Sequence, residues 1–257
     1  MAISIDTAVT RIINARLATA PLTLLSAQGE FSLSHAYDIQ DALRAEMIRR
    51  HQVPVGWKLA ATGPAGQELF GIKEPIFGFL TPRTYASGAH VSAREFVSLH
   101  VEAEIAFKLG TELAGPGVTA VDAFAAVESV MPAIEVPDIL FATIPPVSDA
   151  IANSALAGAI VLGSEMMLSD PRDLAGEEVA FVHNGEVVST NTGRELMGDP
   201  LNALAWLANQ LAVRGHSLAR GDIVMSGGIS KLLRPEVGDR IEASFTGLGL
   251  VSMTIVA

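Results

Sequence analysis

Leu99-His100-Val101-Glu102-Ala103-Glu104-Ile105-Ala106-Phe107 alternates carboxylates with apolar residues and reads as a β-strand. Strand side chains alternate faces, so Glu102 and Glu104 project side by side. A third carboxylate, Glu135, is wedged between Ile134 and Val136 in Met131-Pro132-Ala133-Ile134-Glu135-Val136-Pro137-Asp138. Two such groups converging at about 4 Å repel by roughly 4 kcal/mol at an effective dielectric near 20, so the arrangement needs a proton or a cation. Oxygen-only ligands select a hard ion such as Mg²⁺, Mn²⁺ or Ca²⁺, and three side chains leave coordination positions open for substrate or water. The competing reading is a solvated face of an antiparallel sheet, where E-x-E carries no function. His100 is expected to turn away from the glutamates and to be structural.

Outward from this strand, the chain begins with helical periodicity and continues with strands. Ala8, Ile12, Ile13 and Leu17 predict a helix over 6–19, and Tyr37, Leu43 and Met47 an inward face over 34–50. Pro54-Val55-Gly56 ends the helical region. Gly56-Trp57-Lys58-Leu59-Ala60 reads as a short strand entering a Gly/Pro-rich loop at Thr62-Gly63-Pro64. Thr119 with Asp122 forms a capping box for a helix through Phe124, Val127 and Val130, closed by Pro132. Gly158–Gly163 is a buried strand, and Asn184-Gly185 joins Val179–His183 to Glu186–Val188 as a hairpin. Asp199, Pro200 and Gly215 delimit a helix with Leu201, Leu204, Leu207, Ala208 and Leu211 on one face. Short strands alternate with turns from Asp222 to Ala257.

Composition excludes several functions. The 257 residues are 49% hydrophobic with a net charge of −11, which argues against nucleic acid or an anionic membrane as partner and favours a small molecule. With no cysteine there is no disulfide, thiolate nucleophile or iron–sulfur site. No G-x-G-x-x-G, P-loop or G-x-S-x-G pattern supports nucleotide binding or serine hydrolysis. The N-terminus lacks the basic start and apolar block of a signal peptide, and no apolar run reaches membrane-spanning length, so a cytoplasmic location is expected. Lys58, between Trp57 and Leu59, is a candidate for proton transfer, because a buried lysine can titrate low; a snorkelling surface lysine is the alternative. The glycines of Ser226-Gly227-Gly228-Ile229-Ser230, after the strand Ile223-Val224-Met225, would let backbone N–H groups approach an anion.

Taken in order, Ala36-Tyr37-Asp38-Ile39-Gln40, Gly56-Trp57-Lys58, Phe77-Gly78-Phe79-Leu80, Val101–Phe107, Pro132-Ala133-Ile134-Glu135, Gly198–Ala208, Gly221–Gly227 and Gly238-Asp239-Arg240 resemble one family over nearly the whole chain. It is the 2-keto-4-pentenoate hydratase and 4-oxalocrotonate decarboxylase family of the fumarylacetoacetate-hydrolase-like superfamily. The resemblance implies an α+β fold, with an N-terminal helical region over 1–55 packed on a catalytic domain over 56–257 built as a mixed β-sandwich roll. It implies a homo-oligomer, Mg²⁺ or Mn²⁺ bound by Glu102, Glu104 and Glu135, and Lys58 as proton carrier. Gln40, Asn153, Ser226 and Gly227 then fall among the substrate-binding positions. The implied reaction is hydration of a 2-hydroxy-2,4-dienoate in catabolism of aromatic compounds; decarboxylation of an oxalocrotonate, acylpyruvate hydrolysis or a non-catalytic paralogue are the alternatives. Two departures stand out. Thr81-Pro82-Arg83 supplies no carboxylate where hydratases carry an acid–base aspartate, and Asn153-Ser154 replaces an Asp-Asn pair. Arg83 is a candidate selector for a second substrate carboxylate, or a plain surface arginine.

Overall fold

A computed structural model describes residues 2–169 and 172–257. The chain opens with α1 (Ile5–Ala18) and α2 (Leu33–Arg49), capped by the Ser4 and Ser32 hydroxyls, which accept from Thr7 N and His35 N. Their inner faces bury Ala8, Ile12, Ile13, Ile39, Leu43 and Met47, as the periodicity predicts, while Tyr37 is half-buried and Leu17, in the last turn of α1, is exposed. After β1 (Gly56–Ala60) comes a short helix, α3 (Pro64–Phe70), where the sequence reads as loop. Gly63, Pro64 and Gly71 are its end signals, and no residue in it is buried, so it has no apolar stripe to betray it.

Next come β2 (Ile76–Phe79), β3 (Thr84–Ala86), β4 (Ala89–Ser92) and β5 (Glu102–Leu109), then α4 (Ala120–Ala126) and β6 (Val127–Val136). The Thr119–Asp122 capping box is present, but the helix stops at Ala126 rather than running through Val130. Pro132 is therefore a mid-strand residue. Its carbonyl accepts from Gly163 N, and a strand residue points N and O to the same side, so the missing N–H falls in the gap between two partner strands. Those partners are β7 (Ala159–Leu162), reached through α5 (Val147–Ala152), and β8 (Met166–Met167). The hairpin β9 (Glu178–His183) and β10 (Glu186–Thr192) turns at Asn184 and Gly185, both with positive φ. α6 (Pro200–Val213) has Asp199 as N-cap, and β11 (Ile223–Met225), β12 (Arg240–Phe245) and β13 (Gly249–Val256) complete the chain.

The larger sheet has the order β2-β1-β11-β5-β6-β7-β3, with β8 also on β6. Only Leu80–Arg83 separates β2 at one edge from β3 at the other, and four residues span no more than about 14 Å. The sheet must therefore roll. Thr81 Oγ1 donates to Gly158 O and Ile160 N donates to Arg83 O across the closing seam. Inside the roll, Leu80, Ala106, Met131, Ala133, Ile160 and Met225 form a small closed core. Outside it, Ile105, Phe107, Ile134 and Val224 join a large core that also takes in Ile12 and Ile39 of the N-terminal helices. The second sheet, β10-β9-β12-β13-β4, sets β12 and β13 against β6. The result is an α+β fold, N-terminal helices followed by a mixed β-sandwich roll. No helix among the described residues is long and apolar enough to cross a membrane.

Candidate active site

The antiparallel register of β5 and β6 sets Glu102 opposite Glu135 and Glu104 opposite Ala133. All three glutamates face the interior of the roll, and one oxygen from each lies within 4.8 Å of the others. Lys58 arrives on the same face from β1, paired through Met225 of β11 to Ala106. Its Nζ lies 2.9 Å from Glu135 Oε1 and donates to Ala155 O at 3.0 Å. The loop after β11 runs beside the start of β5. Gly227 N donates to Glu104 Oε2 at 2.8 Å, while the Ser226 and Ser230 hydroxyls accept from Ile105 N and Ala103 N. A Cβ on Gly227 would collide with the Thr62 hydroxyl, and one on Gly228 would sit 2.9 Å from the Glu102 carboxylate. Here the backbone approach requires glycine.

The cluster is electrostatically frustrated. Burial, then the Glu135 charge, pushes Glu102 up to about 7 against the pull of Lys58. Burial and Glu135 hold Glu104 well above the carboxylate range. Burial alone would lower Lys58, but the charges of Glu135, Glu104 and Glu102 outweigh it and hold the ammonium above its ordinary value. This reverses the expectation of a low-titrating lysine. Glu104 Oε1 and Glu135 Oε2 are buried with no hydrogen-bond donor among the described residues. Such oxygens, in an all-carboxylate set, fit a hard divalent cation.

The partner of Lys58 is itself unusual. Asn153 caps α5, and Ser154, Ala155 and Leu156 follow with φ of 57°, 48° and 65°. Left-handed backbone costs about 1–2 kcal/mol for each residue carrying a Cβ. Several contacts hold the turn: Ser154 Oγ donates to Phe79 O at 2.8 Å, Asp138 N donates to Leu156 O at 2.9 Å, and Gly78 leaves room for the Ser154 carbonyl.

Residues 64–256 match the family profile described as fumarylacetoacetate (FAA) hydrolase, C-terminal. The chain belongs to the FAA hydrolase family. It is 33% identical over 229 residues to a 4-oxalocrotonate decarboxylase of Pseudomonas putida, covering 88% of this chain and 87% of that protein. It is equally 33% identical over 239 residues to a 2-hydroxyhexa-2,4-dienoate hydratase of Comamonas testosteroni, covering 91% and 89%. The structure of a 4-oxalocrotonate decarboxylase from Pseudomonas putida G7, complexed with magnesium and adipate, superposes with a TM-score of 0.93 at 30% identity, covering 98% and 97% of the two chains.

In this FAA hydrolase family member the cluster opens into a cavity of about 490 Å³ with Lys58 and Glu102 on its wall. Three residues expected at substrate lie off this cavity wall. Gln40 is buried under the roll, its Nε2 donating to Phe77 O and Ile151 O. Asn153 Oδ1 accepts from Arg16, so its polar group points at α1. Arg83 donates to Glu95 O and stacks over Phe96, because the seam that carries it faces away from the cavity. The polar groups of Ser226 and Gly227 serve β5 and Glu104, and the neighbouring Gly228, Ile229 and Ser230 face the cavity instead. His100 shares the parity of the glutamates, but β5 begins after it and its Nδ1 bonds Ser98 O. Sequence reading misses the wall formed by α3 and Ala155, and Glu195, the other carboxylate on the cavity wall besides Glu102 among the described residues. Only the Gly63-Pro64 and Gly71 bracket around α3 was a usable signal.

Proposed function

We propose that this protein is a divalent-metal-dependent hydratase that adds water to a 2-hydroxy-2,4-dienoate to give a 4-hydroxy-2-oxo acid. The observation that carries this reading is the joining of three glutamates, half-buried Glu102 and fully buried Glu104 and Glu135, with Lys58 at a cavity whose wall Lys58 and Glu102 line. Glu102, Glu104 and Glu135 would hold Mg²⁺ or Mn²⁺, which when bound supplies Lewis-acid stabilisation of negative charge on a 2-oxo acid's oxygens. Lys58 Nζ is ion-paired to Glu135 and donates one N–H to Ala155 O, and an ammonium with three N–H groups keeps one to donate to the substrate or pass it a proton. Leu69, Phe70, Ile76, Ile139, Ile144 and Leu232 keep the wall apolar around the substrate chain, while Asn191, Glu195 and Lys231 give water a polar approach. Glu195 gives this wall a carboxylate, which the Thr81-Pro82-Arg83 segment does not.

Decarboxylation of an oxalocrotonate is the second reading, favoured by the same apolar wall, since a desolvated distal carboxylate more readily releases carbon dioxide and leaves its bonding electrons on the conjugated 2-oxo acid. Mass spectrometry of Mg²⁺-loaded protein given a hydroxydienoate, an oxalocrotonate and an acylpyruvate separately distinguishes the readings. Gain of one water supports the hydratase, and loss of carbon dioxide from the oxalocrotonate alone replaces it with the decarboxylase. Cleavage of the acylpyruvate, or no product from any of the three, overturns both.

A further inference from the structure

The left-handed turn that partners Lys58 is also held by a charged side chain from the far end of the sequence. Arg16, in the last turn of α1, reaches Asn153 with a forked contact: Nε to Oδ1 at 3.2 Å, Nη2 to Oδ1 at 2.8 Å, and Nη2 to the Asn153 carbonyl at 3.3 Å. A guanidinium ordinarily meets a carboxylate in this bidentate way. Here it grips the neutral side chain and the main chain of one residue at once, which fixes the backbone direction as the chain leaves α5. The next two residues then deliver the Ala155 carbonyl to Lys58 Nζ.

We propose that Arg16 is a positioning residue: through Asn153 it holds the Ser154–Leu156 turn so that the Ala155 carbonyl fixes where Lys58 Nζ points. This rests on Lys58 being the proton carrier of the proposed reaction. Nζ has two partners in the site, Glu135 and Ala155. With the carbonyl displaced, Nζ follows Glu135 alone and no longer has a fixed direction into the cavity. The hydrogen bonds of Arg16 reach none of Glu102, Glu104 and Glu135, so loss of the clamp leaves metal binding intact. A residue that merely supports folding would disturb both together.

The test takes Arg16→Met and Asn153→Leu, which break the clamp from either side, with Asn153→Asp, which keeps oxygens for Arg16. Crystal structures with Mn²⁺ give a readout independent of turnover. The Ala155 O to Lys58 Nζ separation is expected to lengthen beyond hydrogen-bonding distance in at least one clamp-breaking variant, with the glutamates unmoved. If it holds near 3.0 Å in every variant that folds, the proposal is overturned, whatever reaction the protein performs. In turnover, kcat is expected to fall about tenfold or more with KM and Mn²⁺ affinity within about threefold, and Asn153→Asp to recover most of the loss. A parallel fall in Mn²⁺ affinity, or an Asn153→Asp as impaired as Asn153→Leu, assigns Arg16 a structural role and overturns the proposal. Should neither clamp-breaking variant fold, an Asn153→Asp that keeps wild-type kcat supports it, and one that loses kcat does not.

Discussion

The two faces of β5 and β6 differ more from each other than either differs from the strand next door. Outward, Ala103, Ile105, Phe107, Ile134 and Val136 are fully buried in the large core, where every side chain contributes to stability by leaving water. Inward, three carboxylates and an ammonium are packed above Ala106, Met131 and Ala133. One backbone serves both, because alternation lets a strand be a hydrophobic wall on one side and an ionic site on the other. The outer face is stable as it stands. The inner face is at rest only when protons or a cation reduce its negative charge, and its fixed geometry is bought with stability from the outer one.

The comparison breaks most visibly at Lys58. Lys58→Met is expected to lower kcat by about 10²–10⁴-fold, the range for loss of a positioned proton-transfer group. Mn²⁺ affinity, measured by calorimetric titration, should hold or rise, since the variant deletes a positive charge beside the carboxylates. A fall in affinity would mean that Lys58 shapes the cluster rather than acting on substrate.

On the outer face, Phe107→Ala removes a fully buried ring and is expected to cost about 3–5 kcal/mol in denaturant unfolding. Mn²⁺ affinity of the folded fraction should stay within about threefold of wild type, given that large-to-small changes on one face leave the opposite side chains in place. Coupled losses would show that the faces are not separable.

What was readable follows how far apart the cooperating residues lie. The Thr119–Asp122 capping box, the Asn184-Gly185 turn and the Asp199-Pro200 helix start are local chemistry, and each is present. Glu102 and Glu104 are legible as one face by alternation, and Glu135 as a third wedged carboxylate, but opposing Glu135 to Glu102 depends on strand register, which the sequence alone does not display. Pro132 misleads because a proline is a stop signal in a helix and a harmless gap residue in a strand whose partner is interrupted. Arg16 and Asn153 are 137 positions apart, and Ser154, Ala155 and Leu156 carry no glycine to advertise positive φ. Arg83 on the seam and Gln40 on α2 both stand off the cavity wall, and sequence order tells neither which side of a rolled sheet a residue serves nor where a helix packs on it.

The inner face also predicts a pH response that the outer face lacks. Glu102 rises from 4.5 to about 7 on folding, so between these values the unfolded chain releases a proton that the folded chain keeps. Stability of chelator-treated protein should therefore fall as pH rises through this window, by on the order of 3 kcal/mol for Glu102 alone. Glu104 shifts in the same direction, and Lys58 titrates too high to interfere. Glu104→Gln should flatten the fall, and millimolar Mg²⁺ should abolish it. Thermal melts at pH 5 and 8, with and without Mg²⁺, measure both, and a pH-independent melt would show that the carboxylates are not buried together.

The smallest expected effect lies in the second sheet, which touches the cavity through Asn191 of β10. Gly185 has φ of 84° and open space around its missing Cβ, so Gly185→Ala meets only backbone strain, about 1 kcal/mol. For a chain of this size that lowers Tm by roughly 2–4 °C. Between the turn and Asn191 the hairpin register shifts at Val187/Ser189, and a bulge of this kind lets the turn adjust without sliding the residues beyond it. KM should consequently not change. If KM instead rises with the small loss in Tm, the hairpin transmits its register to the cavity wall, and the division between stabilising and functional surfaces extends past β5 and β6 into the second sheet.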